Sequence, residues 1–200
     1  MKIVFSKIAI PKSGNLVLFS NETGELGAFA QQVDCETDGQ LTRSIETGRY
    51  RGAFGEIIIF TAPAGLQVSR VTLVGLGNVE DLNSIKAQKL GGKIIEALKL
   101  LGDETISIAF DHSINEGLSA EDVFSNITFG AQLRCHRFDK YFTKEPEDEK
   151  PKINTFYIMT ADPIAAKKAF APLKYLAEGV LLARDLVTEP GNVLYPESYA

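Results

Sequence analysis

The chain has 200 residues, of which 44% are hydrophobic and 24% charged, and its formal net charge is −5. This composition supports an ordinary folded core, and no apolar run approaches the roughly 20 residues that a membrane-spanning helix needs. The acidic balance gives no general attraction to nucleic acid or to anionic membranes. The first residues alternate like a strand and do not resemble a secretory leader, so we expect a cytoplasmic protein in which Cys35 and Cys135 are reduced thiols.

Strand-like apolar patterns recur along the chain, separated by segments rich in glycine, proline and charge. They are predicted at residues 2–10, 15–20, 56–62, 70–75, 105–110 and 153–160. Two of them, 56–62 and 70–75, are runs of Ile, Val, Leu and Phe, which is typical of strands covered on both faces. We therefore place these two strands at the centre of the sheet.

Helical patterns alternate with these strands. Short helical turns are predicted at residues 26–33 and 41–47, and longer amphipathic helices at 84–101 and 119–138. Ser119 with Asp122 three positions later resembles a capping box. The alternation predicts a three-layer α/β domain over residues 1–160, with a central mixed sheet flanked by helices.

A further helix follows this domain. Asp162 and Pro163 form a typical helix start, and apolar positions then recur to about residue 186. We expect a connecting helix over residues 161–188, kinked or divided near Pro172. Residues 189–200 are rich in turn formers and are predicted to begin a second, truncated domain.

Most of the residue types that carry chemistry occur without the spacing that chemistry requires. Cys135 and His136 are neighbours on a predicted helix and point about 100° apart, which disfavours a nucleophile and base pair. His112 has no matching histidine or carboxylate spacing and is predicted to be a loop residue. No catalytic or metal-ligating residue is assigned to this chain.

Two short motifs remain as candidate binding sites. Gly75 and Gly77 follow a strand and precede a helix, where backbone amides can hold an anion, although Glu80 replaces the third glycine of a dinucleotide fingerprint. Arg49 and Arg51 are interleaved with aromatic residues and glycines, a pattern that can contact phosphates and stack on bases. A tight turn and a packed surface ribbon are the alternatives for these two motifs.

Three segments together carry a family resemblance. Residues 70–77 read Arg-Val-Thr-Leu-Val-Gly-Leu-Gly, and residues 137–141 read Arg-Phe-Asp-Lys-Tyr. The most specific block combines Glu-Gly-Val at 178–180, Ala-Arg-Asp-Leu-Val at 183–187 and Glu-Pro-Gly-Asn-Val-Leu-Tyr-Pro at 189–196. In this order they resemble the leucine aminopeptidases, also called cytosol aminopeptidases. Thr188, Cys135-His136 and Phe142 depart from the usual family residues.

The resemblance implies a macro-domain-like fold and a place before the catalytic domain of a longer enzyme. That enzyme would hydrolyse N-terminal residues from peptides with two divalent ions, manganese or zinc, which polarise the carbonyl and activate a water. The resemblance also implies a homohexamer, in which this domain serves assembly and substrate access and the missing C-terminal catalytic domain supplies every metal ligand.

Two rival hypotheses stay open on the sequence. One is a macro-like module that binds a nucleotide or ADP-ribose at the Gly75 turn. The other is an accessory domain that contacts DNA through Arg49 and Arg51, since some bacterial members of the resembled family bind DNA.

Overall fold

The computed structural model describes residues 1–48, 50–111, 119–144, 146 and 150–195. Its strands are β1 (Lys2–Ser6), β2 (Asn15–Ser20), β3 (Ile57–Thr61), β4 (Arg70–Gly75), β5 (Thr105–Ala109) and β6 (Thr155–Met159). Its helices are α1 (Ala28–Glu36), α2 (Gln40–Thr47), α3 (Ser84–Leu98), α4 (Ala120–Cys135) and α5 (Pro163–Thr188). Each of the predicted strands and helices is therefore present.

The strands form one six-stranded sheet in the order β1-β6-β5-β2-β4-β3. All neighbouring strands are parallel except β3 and β4, which are antiparallel. The predicted mixed sheet is thus confirmed. The prediction that residues 56–62 lie at its centre is wrong, because β3 is an edge strand whose three isoleucines are only half-buried.

The central strand β2 divides the core into two layers. Its alternating side chains point to opposite faces, so Val17 and Phe19 pack with α3 and α4, while Leu16 and Leu18 pack with α1 and α2. All six residues of β2 are buried. This arrangement is the predicted three-layer architecture, with helices on both faces of the sheet.

Two helices end earlier than predicted. Helix α3 ends at Leu98, and Gly102 then turns the chain with a φ of +85°. Helix α4 ends at Cys135, because His136 adopts an extended conformation with a ψ of 135°. The predicted capping box at its start is present, with the side chains of Ser119 and Asp122 each accepting a hydrogen bond from the other's backbone N–H.

Helix α5 is continuous through Pro172, so the helix is not divided there, and the alternative of a kink near this residue stays a prediction. Pro172 lies on the exposed side of the helix, where water can hydrate the Lys168 carbonyl that a proline leaves without its helical partner. The inner side of α5 packs Phe170 and Ala177 against α4 and β1. Asp162 caps the helix by accepting hydrogen bonds from the first-turn amides, as predicted.

Helices α3 and α4 cross at two glycines, Gly91 and Gly130. A Cβ atom at Gly130 would overlap the carbonyl of Gln88, and one at Gly91 would overlap the carbonyl of Ile127. The two backbones therefore approach more closely than any larger residue permits. Gly92, one position from Gly91, leaves 4.0 Å between its built Cβ and the nearest atom, Arg134 Cβ.

We expect Gly130→Ala to lower the free energy of unfolding by about 1 to 3 kcal/mol, because the overlap forces the helices apart. The control Gly92→Ala has room for its methyl group and should raise stability by up to about 1 kcal/mol through helix propensity. Urea unfolding monitored by circular dichroism compares them. Equal effects of the two substitutions would contradict the close crossing.

Candidate functional site

The carboxyl edge of the sheet is the first place to seek a ligand site. In open α/β sheets, ligands bind where neighbouring strands send their connections to opposite faces. Here the chain leaves β2 toward α1 on one face, and it leaves β4 toward α3 on the other. The crevice between the ends of these two adjacent strands is bordered by Ser20, Asn21 and the predicted anion turn at Gly75 and Gly77.

The amides of the glycine turn are already hydrogen bonded within the protein. The N–H of Gly75 donates to Glu56 O at 2.8 Å, that of Leu76 to Ser20 O at 2.8 Å, and that of Gly77 to Gly52 O at 2.9 Å. An anion at this turn would have to displace a backbone carbonyl from each of these N–H groups. Anion binding at Gly75 and Gly77 stays a prediction, and the hydrogen bonding favours the alternative of a tight turn.

Glycine is required at these positions by close backbone packing. A Cβ atom at Gly75 would overlap the backbone of Gly52 and Ala53, and Gly77 has a φ of +68° that favours glycine. Gly55 completes the contact by donating its N–H to Gly75 O at 2.8 Å. The segment 50–56 thus lies directly on the end of β4 and fills the crevice from that side.

Tyr50 anchors this segment in the core. It is buried, and its hydroxyl lies 2.7 Å from the buried Ser20 hydroxyl at the end of β2. Burial raises the pKa of Tyr50 well above its ordinary value, because the phenolate would lose its hydration. Tyr50 is therefore neutral and hydrogen bonded, and its ring fills the end of the crevice.

This packing changes the interpretation of the predicted nucleic-acid motif. Arg49 lies outside the described residues. Arg51 is exposed, and its guanidinium folds back toward the carbonyls of Gly48 and Tyr50 at 3.3 and 3.4 Å. The aromatic rings of the motif pack into the two core layers, Tyr50 into the layer beneath α1 and α2 and the half-buried Phe54 against the layer beneath α3 and α4. Contact with DNA stays a prediction, without the stacking platform that suggested it.

Asp111 lies just beyond the end of β5, the strand on the other side of β2 from β4. Its carboxylate accepts a hydrogen bond from the N–H of Phe29 in the first turn of α1. A helix N-terminus is where an anionic ligand would bind, because its amides are unpaired and its dipole favours negative charge. The protein's own carboxylate takes that position, a role that sequence analysis missed. The only indication in the sequence was an acidic residue next to the predicted strand at residues 105–110.

A second group of polar residues joins the ends of α4 and α5. The carboxylate of Glu189 lies 2.7 Å from Lys140 Nζ and accepts a hydrogen bond from the Tyr141 hydroxyl at 2.5 Å. These hydrogen bonds lower the pKa of Glu189 and raise the pKa of Lys140. Two of the segments that carried the family resemblance, 137–141 and 189–196, therefore meet here. We call the three residues the Glu189 tether.

Residues near the end of α4 make further contacts with α5. Arg184 donates to the Leu133 carbonyl at 2.7 Å, and His136 Nε2 lies 3.2 Å from a carboxylate oxygen of Asp185. Cys135 is a free thiol that packs against the core, and burial raises its pKa. The His136 side chain is thus paired with α5, and the Cys135 thiol is held in its protonated form, which is a poor nucleophile.

The outer face of α5 is apolar and exposed. Five large apolar side chains of this helix are between 54% and 86% exposed: Ile164, Tyr175, Leu176, Leu182 and Val187. Ile164, Tyr175 and Leu182 are eleven and seven residues apart, close to whole numbers of turns, and so they lie on one line of the helix. Clusters of exposed apolar side chains of this kind mark surfaces that bind another protein or domain.

The described residues contain no group of three or more His, Cys, Asp or Glu side chains placed to hold a metal ion. They therefore do not fit the metal pair that the family resemblance implies. His112 lies outside the described part of the chain. None of the helices in the described ranges is long and apolar enough to cross a membrane.

Comparison with known proteins places the chain in a family. Residues 17–145 match the family model described as "Cytosol aminopeptidase family, N-terminal domain". The chain belongs to the cytosol aminopeptidase family. The fold and the two contacting motifs at the Glu189 tether agree with this membership, which the sequence motifs predicted.

Relatives in this family are substantially longer than the chain. A probable cytosol aminopeptidase of Rhodopseudomonas palustris (strain TIE-1) is 35% identical over 201 residues, which cover 100% of this chain and 40% of that protein. A probable cytosol aminopeptidase of Chelativorans sp. (strain BNC1) is 38% identical, covering 99% of this chain and 39% of that protein. The chain thus spans about 40% of the length of these curated relatives.

Solved structures share the fold at lower identity. A tomato leucine aminopeptidase mutant superposes with a TM-score of 0.79 at 22% identity, covering 100% of this chain and 40% of that one. The bottromycin maturation enzyme BotP in complex with Mn gives a TM-score of 0.66 at 18% identity, covering 93% of this chain and 34% of that one. The predicted α/β fold is confirmed by these similarities.

We expect Tyr50→Phe to lower the free energy of unfolding at pH 7 by about 1 to 3 kcal/mol, because the buried Ser20 hydroxyl loses its partner. Above about pH 10 the unfolded chain ionises Tyr50 before the folded protein does, so the original protein loses stability there as the pH rises. The variant lacks this contribution, and the difference between the two proteins should shrink. Urea unfolding from pH 7 to 11 measures this difference in stability. A difference that stays constant with pH would contradict a buried, neutral Tyr50.

We expect Glu189→Gln to leave global stability nearly unchanged, because Lys140 and Tyr141 are exposed and solvent screens their interaction with Glu189. Amide hydrogen exchange at Val193 and Leu194 should nevertheless become faster, since their turn loses its attachment to α4. In the original protein this protection should fall only when the pH drops below the ordinary glutamate range, because the folded pKa of Glu189 is lowered.

The matched control for the tether is Glu178→Gln, which removes another exposed carboxylate that faces a lysine, Lys174, at 3.8 Å within α5. It should leave exchange at residues 189–195 unchanged. Equal acceleration in both variants would show that the loss of surface charge, and not the tether, sets the exchange rate.

Proposed function

We propose that this chain is the non-catalytic N-terminal domain of a longer cytoplasmic aminopeptidase, which hydrolyses N-terminal residues such as leucine from peptides. The observation that carries the proposal is the match of residues 17–145 to the N-terminal domain of the family, in a chain that spans 40% of a relative's length. Under this proposal the peptide substrate and the two divalent metal ions bind in the remainder of the enzyme.

The exposed apolar face of α5 supports a role in assembly. Leaving Tyr175, Leu182 and Val187 in water is unfavourable, because each large apolar side chain gains about 1.5 to 3 kcal/mol on full burial. The relatives contain further sequence that could cover this face. We therefore assign the face to contact with the catalytic part of the same polypeptide.

The Glu189 tether supports the same role from the other side of the helix. Lys140, Tyr141, His136 and the Leu133 carbonyl fix the last turns of α5 to the end of α4. A helix held on its inner side presents its outer side at a defined angle. Such a domain can position a catalytic partner and limit the access of substrates. We also propose that the complete enzyme is a homohexamer in which this domain has that role.

The nucleotide alternative receives no such support. Tyr50 and the backbone of residues 52–55 occupy the crevice between β2 and β4, and the carboxylate of Asp111 occupies the N-terminus of α1. The geometry at this edge is that of a packed core. We therefore propose one function only.

The proposal predicts where peptidase activity resides. The 200-residue chain, incubated with manganese and a leucyl chromogenic amide, should release no leucine, whereas the full-length polypeptide should release it. In the full-length polypeptide, Leu182→Glu should reduce activity at least about tenfold, because a buried unpaired charge at the contact costs several kcal/mol. The control Leu182→Met keeps an apolar side chain and should retain activity.

Two results would contradict the proposal. Leucine release by the chain alone would place the chemistry within these 200 residues. Full activity and an unchanged elution volume for the Leu182→Glu polypeptide would show that the outer face of α5 does not contact the catalytic part.

A further inference from the structure

Edge strand β3 presents unpaired backbone groups to solvent. It pairs antiparallel with β4, with Ile57 opposite Val74 and Thr61 opposite Arg70. Hydrogen bonds from Gly75 N to Glu56 O and from Ala62 N to Ser69 O show which residues direct their backbone groups toward β4. The backbone groups of an antiparallel strand alternate in direction from residue to residue. The N–H and C=O groups of residues 58 and 60 therefore also point toward β4, and those of Ile57, Ile59 and Thr61 point away from it.

This outer edge has no partner in the described residues. No hydrogen bond within the described ranges reaches the outward groups of Ile57, Ile59 or Thr61. The usual devices that protect an edge, such as a lysine, a proline or a bulge within the strand, do not occur in the sequence Ile-Ile-Ile-Phe-Thr of β3.

We propose that β3 binds β3 of a second copy of this chain, antiparallel about a twofold axis at Ile59, so that the two sheets become continuous. In this register Ile59 faces Ile59 of the second copy, and Ile57 faces Thr61. Each of the outward residues Ile57, Ile59 and Thr61 then donates one N–H bond and accepts one at its carbonyl.

Side chains favour the same register. The twofold keeps each face of the sheet on one side, so Ile58 lies opposite Phe60 of the second copy, and Ile59 lies opposite its own equivalent. β-Branched and aromatic pairs of this kind stabilise antiparallel strands. Ile57, Ile58 and Ile59 are half-buried in the single copy and would lose further exposed apolar surface.

Alternative registers satisfy fewer backbone groups. A shift by two residues in one direction places Ile57 opposite Pro63, which has no N–H to donate. A shift in the other direction places Thr61 opposite Gly55, whose N–H already donates to Gly75 O. No charged side chain lies in Ile57–Thr61, so the proposed register opposes no like charges even though each copy carries a net charge of −5.

Proline substitution tests the pairing without breaking the β3–β4 ladder. Thr61 is exposed and its N–H points outward, so Thr61→Pro removes only a bond to the second copy, and Thr61→Val is the matched control that keeps the amide. Ile59→Pro, with Ile59→Val as control, removes the central bonds. All variants are made in the 200-residue chain with Leu182→Glu, which removes association through α5.

Sedimentation equilibrium should show a dimer of the Leu182→Glu chain. The dissociation constant should rise at least about tenfold in both proline variants and change less than about threefold in the valine controls. Site-resolved amide exchange should show protection of Ile57, Ile59 and Thr61 that increases with protein concentration. Ile58 and Phe60 should be protected at all concentrations.

Three results would overturn the proposal. The first is a Leu182→Glu chain that remains monomeric at every concentration tested. The second is a dimer that persists unchanged in both proline variants, and the third is a dimer in which the amides of Ile57, Ile59 and Thr61 exchange freely. Circular dichroism of each variant confirms that the fold is retained, and the exposed site at Thr61 keeps the test usable if Ile59→Pro fails to fold.

Discussion

The close approach of the 52–56 backbone to Gly75 controls much of this structure. Gly75 bonds in both directions, from its N–H to Glu56 O and from Gly55 N–H to its own carbonyl, and a side chain here would overlap Gly52 and Ala53. The contact closes the ligand crevice between β2 and β4. It also sets the register of β3, because the bond at Glu56 determines which amides of that strand point away from the sheet. The same backbone contact therefore fills the crevice between β2 and β4 and leaves the outer backbone groups of β3 unpaired.

The strands were predictable from the sequence where burial on both faces leaves a continuous apolar run. Strands β2 and β4 have the predicted bounds, 15–20 and 70–75, because flanking residues such as Gly14 and Gly77 end the pattern sharply. The position of β3 was not predictable in this way. An edge strand whose side chains join both core layers has the same composition as a central strand, and only long-range pairing distinguishes them.

The candidate sites show a similar division between local and long-range information. Close backbone packing requires glycine at positions 75 and 77, yet the sequence could not show whether a ligand or the protein itself approaches them. Tyr50 and Asp111 reach their partners Ser20 and Phe29 across 30 and 82 residues of sequence. No local pattern encodes those contacts. The Glu189 tether was equally hidden, although both of its segments had been selected as family motifs.

The surfaces of the domain differ in what they can bind, and the difference follows from which groups remain unsatisfied. At the carboxyl edge the polar groups of the turn are paired and the cavity is filled by Tyr50, so binding a small ligand there would first require breaking protein contacts. On the outer face of α5 apolar side chains are exposed to water, and any sufficiently apolar protein surface can bury them. On β3 it is a row of backbone donors and acceptors, which requires another extended strand in a fixed register. An α/β domain whose crevice is closed, and whose open surfaces are complementary to protein, suits the assembly role proposed above.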